Sequence, residues 1–339
     1  MIKRSNFYSE LRQDPISQEW VIVAKHRLKR PGGKITGKKR KHQSISQCPF
    51  ENPQATGHGD PLFKISKKLN GDWSVQVVNN KFPSLITGQK GQVKVGPYLV
   101  LNAIGHCEVV LTRPHTKSLA QLPLQTVEEM FLAYLVRANE LAKDKNTKYV
   151  MGFINFGPSA GASISHPHGQ IISLPIVPPD IILALKRVKN YYQKNKSCVY
   201  CDIIKWEKKE KKRLVFENEK FLTVTPFISK NAYELIIYPK THAAQYRKID
   251  LSDLKFLAEA LIDALKRLDK ELQDPDYNLY IKTAPVDDKG NYFHWYIDII
   301  PKTELAAGFE LGTGMEICAL DPEEAARRLR KYKFKIKQK

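Results

Sequence analysis

The feature that most constrains how this chain can fold is an internal repeat. Residues 105–144 and 231–271 share one order of predicted elements: an apolar, β-branched strand, a turn with one histidine, a loop and an amphipathic helix. In both halves a second strand candidate follows the helix, and then a loop and a strand that contain another histidine. Two copies of one α+β unit account for this order better than coincidence.

The spacing of the histidines supports the repeat. His115 and His166 lie 51 residues apart in the first copy, and His242 and His294 lie 52 residues apart in the second. A difference of one residue over such a distance indicates that the elements between the histidines have matching lengths. We therefore expect each pair of histidines to occupy equivalent positions in its copy.

Both predicted helices are amphipathic. We expect the first helix to begin at Thr126, because Glu129 three residues later would complete a capping box. In each copy the apolar residues then recur at helical spacing and mark one buried face. They are Val127, Met130, Phe131, Tyr134, Leu135, Ala138 and Leu141 in the first copy, and Leu254, Leu257, Ala258, Leu261, Leu265 and Leu268 in the second.

Length and composition favour two globular domains. The chain has 339 residues and is 42% hydrophobic, which suits two domains of roughly 150–170 residues each. We predict domains at 1–190 and 191–339, divided in the polar, lysine-rich stretch near 185–197. No stretch approaches the ~20 apolar residues of a membrane helix, and the first 15 residues lack the apolar segment of a secretory signal. We expect a cytoplasmic protein with no membrane partner.

The net charge of +20 would attract polyanions such as nucleic acid, anionic membranes or phosphorylated substrates. Much of the excess lies in short runs at 34–42, 205–213 and 327–339. Solvated loops and a basic tail explain these runs best, and no zinc-finger, RNA-recognition or helix-turn-helix pattern accompanies them. We therefore expect phosphorylated small molecules, rather than nucleic acid, as partners.

The second copy contains a candidate zinc site. An odd number of cysteines, five, argues against a disulfide framework, and only Cys198 and Cys201 form a CxxC pair. With His242 and His294 this pair makes a Cys2His2 set, which zinc binds in a closed tetrahedral site. A redox pair or two buried cysteines are alternative interpretations of CxxC, but the two histidines at repeat-related positions favour zinc.

The first copy offers an equivalent set in Cys48, His115 and His166, with Glu51 in place of the second cysteine. Because carboxylate oxygen is an accepted zinc ligand, this set is a further candidate metal site. The alternatives are an empty remnant of a site and a cluster held together by hydrogen bonds.

His168 is the candidate nucleophile. It follows the predicted ligand His166 by two residues, so both would face one side of a strand. The second copy has Tyr296 at the equivalent position, which means that metal binding does not require His168. The preceding segment 157–165 is rich in glycine and serine, whose N–H groups and hydroxyls can bind phosphate oxygens. A purely structural histidine is the alternative.

Around His168 the sequence resembles the galactose-1-phosphate uridylyltransferase family of the histidine-triad superfamily. The sequence resembles the ADP-glucose phosphorylase-like branch of that family at least as closely. The resemblance covers nearly the whole chain and is carried by residues 12–31, 79–85, 161–175, 293–301 and 307–314. It implies an α+β fold of two tandem histidine-triad-like domains, each an antiparallel sheet with packed helices, and a homodimer with composite active sites.

The resemblance also implies roles by position. His168 would be the nucleophile, and Gln170 would hydrogen-bond the phosphate and steady the covalent intermediate. The remaining binding residues that it implies are Asn155, Gly161 and Ser163 around the phosphates, Arg27, Arg30, Asn80 and Phe82 at the nucleotide, and Phe309 and Glu310, from the partner subunit, at the sugar.

Two positions depart from the family's pattern. Glu51 stands where the second cysteine of the first metal site is usual, which puts metal there in doubt. Tyr296 stands where relatives often have histidine, and a second metal site that used both histidines would be weakened.

The sequence thus predicts an enzyme that moves UMP between UDP-glucose and galactose 1-phosphate through a nucleotidyl intermediate on His168. A near alternative is an adenylyltransferase of the ADP-glucose phosphorylase type, since the sequence leaves open whether the nucleobase of the substrate is uracil or adenine. A hydrolase of the same superfamily commonly has a third histidine where this chain has Gln170, which favours transfer. A nucleotide- or nucleic-acid-binding module would suit the charge but would not need an intact HPHGQ segment.

Overall fold

The computed structural model describes residues 10–13, 16, 20–23, 44–66, 72–89 and 91–334. Its strands are β1 (Glu10–Gln13), β2 (Trp20–Val23), β3 (Phe63–Ser66), β4 (Trp73–Asn79), β5 (Gln92–Val95), β6 (Tyr98–Leu101), β7 (His106–Thr112), β8 (Tyr149–Phe156), β9 (His168–Leu174), β10 (Leu214–Glu217), β11 (Phe221–Val224), β12 (Leu235–Pro239), β13 (Tyr277–Lys282), β14 (Tyr296–Pro301) and β15 (Glu316–Cys318). Its α-helices are α1 (Leu124–Leu141), α2 (Pro179–Asn195), α3 (Val199–Glu210), α4 (Leu254–Leu272), α5 (Gly308–Thr313) and α6 (Pro322–Leu329).

One ten-stranded antiparallel sheet carries the repeat, in the order β10-β11-β12-β14-β13-β8-β9-β7-β4-β3. Outward from the central pair, β8, β9, β7, β4 and β3 of the first copy match β13, β14, β12, β11 and β10 of the second. The predicted α+β class is therefore confirmed, and the two copies share a continuous sheet. The division between residues 190 and 191, which lie within α2, remains a prediction.

Helices α1 and α4 pack against one face of this sheet and against each other. All the residues predicted for their apolar faces are buried. The predicted start of α1 at Thr126 is wrong, since the helix begins at Leu124 after Pro123. The N–H groups of Thr126 and Val127 donate to the carbonyl of Pro123 at 3.0 and 3.3 Å, so Pro123 and not Thr126 is the N-cap residue.

The opposite face of the sheet carries both candidate metal sites and His168. Side chains of a strand alternate between faces. Val110 of β7 therefore lies in the core under the helices, while Val109 and Leu111 pack on the opposite face with Cys48 and Phe50. Strand β12 of the second copy shows the same alternation, with Ile236 and Tyr238 on the opposite face.

Close packing beneath β9 fixes the strand that begins with His168. Gly152 of β8 and Gly169 of β9 both face the ring of Tyr134, and a β-carbon on either glycine would overlap that ring. The Tyr134 hydroxyl donates to the carbonyl of Phe153 at 3.0 Å. Helix α1 thus packs closely against the sheet directly under the candidate nucleophile. None of the helices within the described part of the chain has the length and apolar character needed to cross a membrane.

Candidate active site and metal centres

His168 is held in one orientation at the start of β9. Its Nδ1 lies 2.9 Å from the carbonyl oxygen of His166. Because a carbonyl only accepts hydrogen bonds, Nδ1 carries the proton and Nε2 keeps its lone pair. Burial lowers the pKa of His168, although the bond to the His166 carbonyl opposes this. The ring of Phe50 packs edge-on against it at 4.9 Å. The arrangement presents a neutral imidazole with a free Nε2.

A cleft of about 730 Å³ adjoins His168. Its volume falls within the range of sites that hold small molecules and cofactors. Gln170 shares the cleft because it lies two residues along β9, on the same face of the sheet as His168. Of the residues predicted at the nucleotide and phosphates, the cleft brings together His168, Gln170, Ser163, Asn80 and Phe82.

The segment at 79–85 forms one side of this cleft. The N–H of Asn80 donates to the carbonyl of Cys107 at 2.9 Å, and the Asn80 side chain accepts from the N–H of Phe82 at 2.9 Å. These bonds fix a tight turn that leaves the Phe82 ring 83% exposed at the cleft. An aromatic ring held in solvent by its own backbone provides a stacking surface for a flat ligand.

The glycine- and serine-rich loop at 157–165 is braced by the second copy. Gly157 has a φ of 88°, and a side chain there would overlap the carboxylate of Asp276. That carboxylate accepts from the N–H of Ser159 at 2.7 Å. The Asn278 amide donates both to the side chain of Asn155 and to the carbonyl of Ala160, each at 2.8 Å. The loop conformation therefore depends on contacts across the central β8–β13 pair.

Some predicted site residues lie elsewhere. Asn155 and Gly161 neighbour each other at the base of the loop but are not among the residues that line the cleft. Phe309 and Glu310 belong to α5 and also do not line it. Arg27 and Arg30 fall outside the described residues.

The cleft also contains residues that were not predicted from the sequence, among them Phe50, His58 and Lys81. His58 is buried, and its Nδ1 lies 2.9 Å from the carbonyl of Asn79, so its Nε2 is the acceptor nitrogen. Phe50 and His58 follow the ligand candidate Cys48, and Lys81 lies inside the segment already recognised. Their proximity to those motifs was the available signal, but no residue pattern marked them individually.

The second candidate metal centre has converging donors. The ligand atoms all lie within 4.8 Å of one another and come from Cys198, Cys201, His242 and His294. Nε2 of His242 donates to the carbonyl of Asn291 at 2.8 Å, and Nε2 of His294 donates to that of Pro239 at 2.9 Å. Each Nδ1 is thereby left to face Cys201 Sγ, at 3.4 and 3.6 Å. Backbone carbonyls that orient ligand histidines are typical of zinc sites, so the residues fit the metal.

The first candidate metal centre repeats this plan with one carboxylate. Its ligand atoms also lie within 4.8 Å of one another and come from Cys48, Glu51, His115 and His166. Nε2 of His166 donates to the carbonyl of Thr112 at 2.7 Å, and its Nδ1 lies 3.6 Å from Cys48 Sγ. Burial would raise the pKa of Glu51, but its hydrogen bond and charge interaction with Arg113 lower it below the ordinary value. Glu51 is therefore an anionic donor, and this set also fits a metal.

Comparisons with known proteins agree with this geometry. The sequence model described as galactose-1-phosphate uridyl transferase, N-terminal domain, matches residues 2–178, and that of the C-terminal domain matches residues 184–338. An ADP-glucose phosphorylase of Arabidopsis thaliana is 31% identical over 329 residues, which cover 95% of this chain and 92% of that protein. A galactose-1-phosphate uridylyltransferase of Thermotoga maritima is 30% identical over 342 residues, covering 96% and 99%.

A solved structure extends the comparison to the fold. The crystal structure of an ADP-glucose phosphorylase from Arabidopsis thaliana with bound ADP-glucose superposes with a TM-score of 0.81 at 28% identity, over 96% of this chain and 100% of that one. The predicted fold class and enzyme class are thereby confirmed. The chain belongs to the galactose-1-phosphate uridyl transferase family.

Proposed function

We propose that this protein transfers a nucleoside monophosphate from a nucleotide sugar to an acceptor phosphate through a covalent intermediate on His168. The observation that carries the proposal is the fixed tautomer of His168, whose Nε2 lone pair lies in a cleft of nucleotide size. Nε2 attacks the α-phosphorus, the bond from phosphorus to the bridging oxygen breaks, and the electron pair leaves with the sugar 1-phosphate. An acceptor phosphate oxygen then attacks the same phosphorus and breaks the N–P bond.

The neighbouring side chains stabilise charge on the transferring group. Gln170 lies on the same strand face as His168, and its amide N–H can donate to a phosphate oxygen without adding a competing charge. Ser163 offers a hydroxyl from the loop side of the cleft. We assign Asn155 and Gly161 to holding the loop, and Arg27 and Arg30 to the phosphates, since the arginine fork matches phosphate oxygens.

Two pairs of substrates are supported by relatives. Similarity to a uridylyltransferase supports transfer of UMP between UDP-glucose and galactose 1-phosphate. Similarity to an ADP-glucose phosphorylase, in sequence and in structure, supports transfer of AMP from ADP-glucose to phosphate. Both reactions would use the same nucleophile and the same two steps. The properties to be measured are therefore the nucleobase of the donor and the identity of the acceptor.

We further propose that zinc occupies the second metal centre and that the first metal centre also binds zinc. A metal in the first centre would hold its ligand side chains together. His166, one of these ligands, contacts His168 directly, because its carbonyl accepts from His168 Nδ1. We also propose a homodimer in which Phe309 and Glu310 reach the partner's cleft, because they do not line the cleft of their own chain. Domains at 1–190 and 191–339 and a cytoplasmic location complete the proposal.

Isotope exchange tests the two-step course. Labelled glucose 1-phosphate is mixed with enzyme and either UDP-glucose or ADP-glucose, with no second acceptor. A covalent intermediate predicts that label enters one of the nucleotide sugars, and the one that is labelled identifies the base. Net transfer to galactose 1-phosphate or to phosphate without any such exchange would mean direct transfer and would overturn the proposal.

A further inference from the structure

The first cleft has a wall that the second copy does not build. In the second copy Cys198 is followed directly by helix α3. In the first copy the chain after Cys48 instead folds into consecutive turns over residues 49–57, and these turns bring Phe50 and His58 into the cleft. Because the second copy forms its sheet and ligand cluster without such a wall, the scaffold does not require it, and the wall is available to a ligand.

His58 is held in this wall at two points. Its backbone N–H donates to the carbonyl of Pro53 at 3.0 Å, and its ring Nδ1 lies 2.9 Å from the carbonyl of Asn79. The carbonyl can only accept, so Nδ1 carries the proton and Nε2 keeps its lone pair. The ring is therefore oriented as a hydrogen-bond acceptor before any ligand binds.

The Nε2 atom of His58 is available to a ligand. The residue is only 7% exposed, and it lines the cleft. In the part of the chain that the structure describes, Nε2 has no hydrogen-bond partner, and protein atoms do not enclose it. A ligand N–H that displaced water from this nearly buried acceptor would need to replace its hydrogen bond, which favours a ligand with a donor at that point.

The position of His58 separates it from the transferring phosphate. The ring of Phe50 contacts both imidazoles, with centroids 4.9 Å from that of His168 and 5.5 Å from that of His58. No ring contact among the described residues joins the two imidazoles themselves. His58 is thus offset from the attacked phosphorus by about the width of one aromatic ring, and another part of the nucleotide would meet it.

The neighbours of His58 favour a flat group at this position. The carbonyl that holds its ring belongs to Asn79, three residues before the exposed ring of Phe82. The stem of Lys81 lies against Gly57, where a β-carbon would meet Lys81 Cε at 3.5 Å, and the Lys81 ammonium lies 5.6 Å from the centroid of the Phe82 ring. The stacking surface and the acceptor therefore belong to one side of the cleft.

We propose that His58 recognises the nucleobase of the donor. The base stacks on Phe82, and one of its N–H groups donates to Nε2 of His58. Uracil offers its N3–H for this bond, and adenine offers its 6-amino group. The inference rests on the function proposed above and assigns to it the residue that selects a base with a hydrogen-bond donor.

Calorimetric titration of the full chain with UMP, AMP and ribose 5-phosphate, a probe without a base, tests the contact. His58→Leu removes the acceptor, and we expect the nucleotide that the parent prefers to bind about tenfold more weakly. Ribose 5-phosphate should bind equally to the parent and to His58→Leu. His106→Leu removes an imidazole that pairs with Asp144 outside the cleft and should leave all three affinities unchanged.

Methylated bases test the donor from the side of the ligand. In 3-methyluridine 5′-monophosphate and in N6,N6-dimethyl-AMP the proposed donor is blocked. The methylated form of the preferred nucleotide should bind about tenfold more weakly to the parent, whereas in His58→Leu methylation should weaken binding by no more than about twofold. The measurement on the parent needs no variant, so it decides the proposal even where His58→Leu does not fold.

Three results would overturn the role of His58. The preferred nucleotide binds equally to the parent and to His58→Leu; or His58→Leu weakens ribose 5-phosphate as much as the nucleotide, which would mean a phosphate, ribose or structural role; or the methylated base binds the parent as tightly as the natural one. Isotope exchange separates this failure from that of the proposed function. Exchange by the parent keeps the transfer reaction whatever contacts the base, whereas a parent that neither exchanges label nor binds UMP or AMP would end both proposals.

Discussion

The two copies of the repeat are alike in scaffold and unlike in chemistry. In both, the late histidine donates Nε2–H to a backbone carbonyl, Thr112 in the first copy and Pro239 in the second, and turns Nδ1 towards a cysteine. The copies diverge two residues later, at His168 and Tyr296. The shared part therefore builds the sheet and its candidate metal centres, and from the difference we propose that group transfer takes place in the first copy alone.

The largest effect should come from removing the side chain that the copies do not share. His168→Ala removes the nucleophile, and we expect kcat for transfer to fall by at least about 10³-fold. Tyr296→Phe, at the equivalent position of the second copy, should keep kcat within about twofold of the parent, because no transfer step uses it. Steady-state rates with both nucleotide sugars provide the measurement. Comparable losses in the two variants would show that the chemistry is not confined to the first copy.

The metal centres should differ in how much they contribute to stability. Cys198→Ser removes one of two thiolates from the second centre, and we expect the free energy of unfolding to fall by about 4 kcal/mol with loss of one zinc. Cys48→Ser in the first centre, which has one thiolate and a carboxylate, should lower the free energy of unfolding by less. Elemental analysis and thermal unfolding measure both effects. Unchanged zinc stoichiometry in Cys198→Ser would remove the second centre from the account.

Gln170 provides a test of the charge beside the transferring phosphate, because the second copy has an aspartate at the equivalent position. Gln170→Asp places a carboxylate beside the transferring phosphate, and we expect kcat to fall by about 10²-fold through the loss of a donor and the added repulsion. Gln170→Asn keeps an amide of the same length as the aspartate and should retain at least about tenfold more activity than Gln170→Asp. Equal rates for the two variants would show that charge at this position is not decisive.

The smallest effect concerns the packing under β9. The second copy has Ile297 at the position of Gly169, so the glycine is a first-copy requirement imposed by Tyr134. Gly169→Ala should lower the free energy of unfolding by about 1–3 kcal/mol through overpacking. Tyr134→Phe removes the hydroxyl that the new methyl would meet, so the double variant should lose less than the sum of the two single changes. Strict additivity in chemical denaturation would count against this contact.

Local patterns predicted much of this structure. The repeat, the apolar faces of both long helices and the two clusters of candidate metal ligands follow from spacing along the chain, because strands and helices impose fixed periods. The joining of the copies through β8 and β13 was not predicted, since strand pairing across more than a hundred residues depends on tertiary contacts. The capping box predicted at Thr126 did not set the start of α1, because the helix begins two residues earlier, after Pro123.

Site residues were predicted only where the residue type, within a distinctive segment, indicates the chemistry. His168 and Gln170 stand in a distinctive segment, whereas Phe50 and His58 reach the cleft through the turns after Cys48, which no sequence period describes.

We expect the first copy to form a covalent nucleotidyl-histidine on His168. Mass spectrometry of the intact protein, mixed separately with UDP-glucose and with ADP-glucose in the absence of acceptor, tests it most directly. We predict an acid-labile gain of one uridylyl or one adenylyl mass, absent in His168→Ala and present in Tyr296→Phe. A protein that catalyses transfer with either substrate but shows no such gain, or shows it equally in His168→Ala, would contradict the account.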